Sequence, residues 1–106
     1  MAWIILFIAG LFETAWAIGM KYSNGFTKVY PTVFTFIAMG LSVFLLSISI
    51  KTLPVGTAYA VWTGIGAVGT AIFGIFLFGE SKEFIRLFFI FIIIVGIVGL
   101  KIFTKS

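Results

Sequence analysis

Four apolar stretches, each about as long as a membrane is thick, divide this 106-residue chain with only short polar breaks between them. Crossing roughly 30 Å of hydrocarbon at 1.5 Å per residue takes about 20 apolar residues in a helix. Positions 3–20 are apolar apart from Glu13 and Thr14, positions 30–50 carry no charge, and 57–78 and 84–103 supply two more candidates. The breaks hold turn and capping chemistry: Tyr22-Ser23-Asn24-Gly25, Lys51-Thr52-Leu53-Pro54-Val55-Gly56 and Gly79-Glu80-Ser81-Lys82-Glu83. Pro54 suits the start of a helix, because its fixed φ and missing N–H cost nothing there. Backbone groups in hydrocarbon must pair internally, which leaves helices or a closed barrel. Runs such as Phe88-Phe89-Ile90-Phe91-Ile92-Ile93-Ile94 lack the alternation of barrel strands. The expected fold is therefore all-α: one integral membrane domain over 1–106, a bundle of four transmembrane helices, with neighbours antiparallel because the connections are short.

Composition excludes several functions. With 62% hydrophobic and 9% charged residues, the chain lacks the polar surface of a soluble domain, where roughly 25% of residues are charged. Without cysteine or histidine it has no disulfide framework, no thiolate or imidazole metal site and no cysteine nucleophile. Its net charge of +4 comes from basic residues dispersed singly, with no run or stripe for nucleic acid. No nucleophile–base pair or phosphate loop is present, so neither enzymatic chemistry nor a cofactor is expected. Ala15-Trp16-Ala17 resembles a signal-peptide cleavage site, but no basic side chain precedes it and Glu13 interrupts the apolar region, so the first segment is read as a span.

The charges around the spans give no orientation. Four spans put Lys51, Lys101 and Lys105 on one side and Lys21, Lys28, Lys82 and Arg86 on the other. Three against four is no bias under the positive-inside rule. Either other signals set the topology, or both orientations insert and two copies pair upside-down.

Glu13 falls near the middle of the first span. A charge at that depth costs at least ~2.5 kcal/mol on insertion scales, so an intramembrane acid is a functional-site hypothesis with its partner to be found. No other span carries a basic residue at its centre. Hydrocarbon penalises the bare carboxylate, which makes proton binding part of any role Glu13 has; two facing copies would share one coupled titration. Gly10 and Trp16, at i−3 and i+3, and Ala9 and Ala17, at i−4 and i+4, share its helical face. The small residues admit a helix or a ligand, and Trp16 offers an indole donor for the carboxylate. Trp3 suits an interfacial position. In the third span Tyr59, Trp62, Thr63 and Gly66 recur at helical spacing and read as a cavity lining, with plain packing as the alternative; Ser42 is a weaker candidate beside Ser47 and Ser49. Gly64-Ile65-Gly66-Ala67-Val68-Gly69 matches GxGxxG in letters, yet lies inside a span without the strand and later acid that dinucleotide binding requires, and reads as a packing or bending point. One acid, aromatic donors and flexible helices suit a transporter in which a proton and a cation compete for the same carboxylate.

Gly10, Glu13 and Trp16, the stretch Lys21-Tyr22-Ser23-Asn24-Gly25-Phe26-Thr27, the stretch Pro54-Val55-Gly56-Thr57-Ala58-Tyr59-Ala60-Val61-Trp62-Thr63-Gly64-Ile65-Gly66 and the ending Gly99-Leu100-Lys101 resemble the small multidrug resistance transporters over essentially the whole chain. Trp16, where multidrug members carry a small residue, points to the guanidinium-exporter branch. The resemblance implies a multi-pass protein of the bacterial cytoplasmic membrane, a dual-topology antiparallel homodimer, and proton-coupled export of guanidinium or small guanidinyl cations. It assigns proton and substrate to paired Glu13 carboxylates, a surrounding polar network to Trp16, Ser42, Tyr59 and Trp62, and the bend of the third helix to Gly64 and Gly66. Thr14-Ala15 replaces the branched aliphatics usual in this branch, and Phe89 stands seven before Gly96, where the family often pairs two glycines. The competing readings are an exporter of bulky aromatic cations on the same fold, and a non-transporting membrane subunit or small pore.

Overall fold

The computed structural model describes residues 1–103 and consists of four helices: α1 Ala2–Tyr22, α2 Val29–Ser49, α3 Val55–Phe78 and α4 Phe84–Phe103. Lys105, counted in the charge balance, lies outside the described residues. The helices hold 21, 21, 24 and 20 residues, each enough for one crossing. The boundaries lie within two residues of the expected spans, and the differences have local causes. The first helix runs on through Lys21 and Tyr22 because its carbonyls find partners beyond its end: Ser23 N–H donates to Gly19 O at 2.9 Å, and Ser23 Oγ to Met20 O at 2.7 Å. Pro54 caps α3 from outside at ψ 135°, so the helix begins at Val55. At the other end of α3, Gly79 takes the left-handed conformation (φ 65°) that a residue without Cβ adopts freely.

The helices form a flattened bundle of 43 × 34 × 17 Å. The first helix is central: it packs along α2 on one side and α3 on the other, while α4 meets only α3 at close backbone range among the described residues. Leu6, Ala9, Leu53, Ala58, Val61 and Trp62 make the buried core, and α4 contributes no buried residue to it. Small residues set the close approach of α1 and α3, as is usual where lipid supplies no hydrophobic drive. A Cβ on Gly10 would collide with Ile65, and one on Gly66 with the side chain of Glu13. Two cation–π contacts mark the bundle's ends. Lys101 Nζ lies 5.4 Å from the ring centre of Trp3, and Lys21 Nζ 5.6 Å from that of Phe78. The start of α1 therefore meets the end of α4, and the end of α1 meets the end of α3, as an up-down arrangement requires.

Candidate functional site

Glu13 occupies the fourth turn of α1, on the side turned to α3. Its carboxylate rests against the backbone of Gly66, a position open to it only because Gly66 has no side chain. At the next residue, Thr14 Oγ1 lies 3.4 Å from Gly10 O and 3.3 Å from Gly66 O, so the hydroxyl sits between the two helices beside the acid. The single Thr14 hydroxyl proton is shared between the two carbonyls, which offsets the cost of a hydroxyl in hydrocarbon.

A groove of about 410 Å³ opens on this contact. Glu13, Trp16 and Ala17 line it from α1, Thr63, Gly66, Ala67, Thr70 and Ala71 from α3, and Glu80 and Arg86 at its outer end. Within it Glu13 Oε1 and Trp16 Nε1 are buried with no hydrogen-bond partner among the described residues. The indole does not bond the carboxylate of its own chain. No lysine or arginine of the described residues pairs with Glu13; Arg86 is engaged by Glu80, with Nη2 2.7 Å from Oε1. Two residues that line one groove thus each hold a buried polar atom without a partner, which folded proteins rarely tolerate away from binding sites.

The other sequence candidates divide into two groups. Trp16, Thr63 and Gly66 join Glu13 in the groove. Ser42 and Trp62 lie instead in the packed region between helices: Trp62 Nε1 donates to Ser42 Oγ at 2.9 Å, and Ser42 Oγ donates to Ala9 O at 2.7 Å. That chain links α3 to α2 to α1 at the level of Ala9, one turn before Glu13. Tyr59 packs its ring 5.6 Å from that of Trp62 but is 58% exposed and outside the groove. Gly10 lies under Ile65, and a Cβ on Gly64 would meet Ile97 of α4 at 3.0 Å. The third helix is unbroken through both Gly64 and Gly66.

Sequence reasoning passed over Thr14 as a site residue, though a hydroxyl beside the acid in an apolar span was a signal. It also passed over Thr70, which follows Thr63 by seven and so shares its helical face. The placement of Glu80 and Arg86 at the mouth had no sequence signal, because it depends on how the third loop folds back.

Comparison with known proteins agrees with this architecture. A family profile described as Small Multidrug Resistance protein matches residues 1–93. A guanidinium exporter of Yersinia pseudotuberculosis serotype I is 61% identical over 102 residues, covering 96% of this chain and 98% of that protein. Guanidinium exporters of Proteus vulgaris and Citrobacter freundii are each 58% identical, over 102 and 104 residues, with at least 96% of this chain covered. With four helices long and apolar enough to cross a membrane and a match over nearly its whole length, the chain belongs to the small multidrug resistance family, as a multi-pass membrane transport protein and not an enzyme.

Proposed function

We propose that this protein exports guanidinium and small guanidinyl cations across the bacterial cytoplasmic membrane in exchange for protons, with both ions competing for Glu13. The observation that carries the reading is the unpaired Glu13 carboxylate in a groove it shares with an unpaired indole donor. A bare carboxylate is the state that hydrocarbon tolerates least. Either a proton or an organic cation relieves it, and the two exclude each other, so one crosses only when the other has left. Guanidinium is flat and presents parallel N–H donors to a carboxylate, a stronger and more selective match than a point charge. The three relatives described above, 58–61% identical, are named for guanidinium export, which favours that substrate class over bulky aromatic cations.

The working unit in this proposal is a pair of copies in opposite orientations, each contributing its four helices as one domain. Two features support it: the balanced basic residues, and an α4 with no buried residue. Pairing brings two Glu13 carboxylates to one chamber, with the exposed Tyr59 adding to its lining and the buried Trp62–Ser42 chain bracing the helices behind it. Flexing of α3 at Gly64 and Gly66 supplies the alternation between the two faces.

The test is guanidinium-driven proton flux in proteoliposomes containing the purified protein alone. The expected result is proton movement opposite to guanidinium in the wild type, and its loss in Glu13→Gln with membrane insertion intact. Cation flux without linked protons, or exchange retained by Glu13→Gln, overturns the proposal. Acidifying the substrate side should raise the apparent KM for guanidinium, since the two ligands share one carboxylate.

A further inference from the structure

The groove on Glu13 has a second acid at its other end. Gly79, in its left-handed conformation, turns the chain back after α3, and Glu80 N–H donates to Gly74 O at 3.2 Å. Glu80 is thereby folded against α3, its carboxylate resting on the backbone of Gly74 where a Cβ would collide with it. The arrangement repeats that of Glu13 on Gly66, two turns of the same helix away, about 12 Å along the axis. Thr70 lies midway on the groove wall between the two glycines.

The Glu80 carboxylate already holds a guanidinium group, that of Arg86. Nη2 of Arg86 is 2.7 Å from Glu80 Oε1, and Nη1 donates to Ser81 O at 2.6 Å. The side chains are 29% and 45% exposed for Arg86 and Glu80, and a pair that open to water is held only weakly. We propose that Glu80 is an outer subsite for guanidinium cations at the mouth of the groove, and that Arg86 is its tethered occupant, displaced when a free guanidinium ion passes. This inference rests on the guanidinium-transport reading above. Chemically the exchange is like for like: one planar donor fork replaces another on the same carboxylate, with Ser81 O as a further acceptor. A cation released from Glu13 then has a counter-charge waiting where the groove opens, and one arriving from water is gathered there before it reaches the buried acid.

A purely structural ion pair and a subsite predict different variants. If the pair only ties the loop to α4, Glu80→Gln and Arg86→Gln impair transport in the same direction. If Glu80 is a subsite, Glu80→Gln raises the KM for guanidinium about three- to tenfold at low ionic strength, the difference shrinking at high salt. Arg86→Gln removes the tethered competitor and lowers KM instead. A direct measurement is independent of Glu13. In Glu13→Gln protein in lipid nanodiscs, guanidinium chloride is titrated while the side-chain nitrogen signals of Arg86 are followed by NMR, with sodium chloride of equal ionic strength as control. Saturable shifts with guanidinium alone, abolished by adding Glu80→Gln, are expected. Equal responses to both salts, or KM changes of the same sign in the two variants, overturn the subsite. Absence of guanidinium–proton exchange in the wild type instead overturns the transport reading, while the Arg86 signals still report on Glu80.

Discussion

Ser42 is fully buried and uses both roles of its hydroxyl, accepting from Trp62 Nε1 and donating to Ala9 O. Ser47, five residues on, is exposed and returns its hydroxyl to Phe44 O of its own helix. The two serines look alike in the sequence and differ entirely in consequence. Ser42→Ala leaves the Trp62 indole donor unpaired in a dry interface, while Ala9 O keeps its helical partner, and should cost about 1 kcal/mol, within the range of interhelical polar contacts in membranes. Ser47→Ala should stay within about 0.5 kcal/mol of the wild type. Unfolding in mixed micelles of increasing SDS fraction measures both, and equal effects would show that the Trp62–Ser42 bond contributes nothing to stability. Thr14 illustrates the opposite error. It reads as a departure from the family pattern, yet its hydroxyl spans α1 and α3 beside the acid.

Between elements, two of the glycines on the seam of α1 with α3 differ in what their replacement does. A Cβ on Gly10 would strike Cβ and Cγ2 of Ile65, atoms near a backbone that cannot swing away. Gly10→Ala should therefore destabilise the protein by about 1–3 kcal/mol, the usual cost of overpacking. The atoms nearest a Cβ on Gly66 all belong to the side chain of Glu13, which can rotate aside. Gly66→Ala should leave SDS stability nearly unchanged and instead displace the carboxylate, lowering guanidinium exchange by tenfold or more. Equal losses of stability in the two variants would show that α3 retreats as a whole rather than the acid moving. The amphipathic register of α3 explains why the sequence grouped Tyr59, Trp62, Thr63 and Gly66 together: they lie within one broad arc of the helix. In the structure that arc divides, with Trp62 turned to the core and Thr63 and Gly66 to the groove.

The molecule as a whole is a flattened bundle, with α1 at its centre and α4 at close backbone range only to α3 among the described residues. Large apolar side chains such as Phe76, Phe84 and Phe103 are about four-fifths exposed, as expected for surfaces that meet lipid or a second copy. Basic residues stand at both ends with no clear majority, so small additions of charge should decide orientation. Two lysines added to one end, in the 51–53 connection or in the 80–83 connection, should give uniformly oriented protein with low exchange activity. Mixing the two oppositely biased variants should restore it. Full activity of either variant alone, with orientation verified by accessibility labelling, would argue against the inverted pair.

Chain length per span, the short connections and the isolated acid at position 13 were legible in the sequence, because hydrocarbon allows few solutions: every backbone group must be paired within its own helix, and every charge must have a reason to be there. Only the tertiary structure decided which small residues bring α1 and α3 together, that Ser42 and Trp62 close on each other rather than on the acid, and that the third loop folds Glu80 and Arg86 onto the groove. Those outcomes depend on the rotation of each helix about its axis and on a backbone reversal at Gly79, which distant contacts set and local sequence does not.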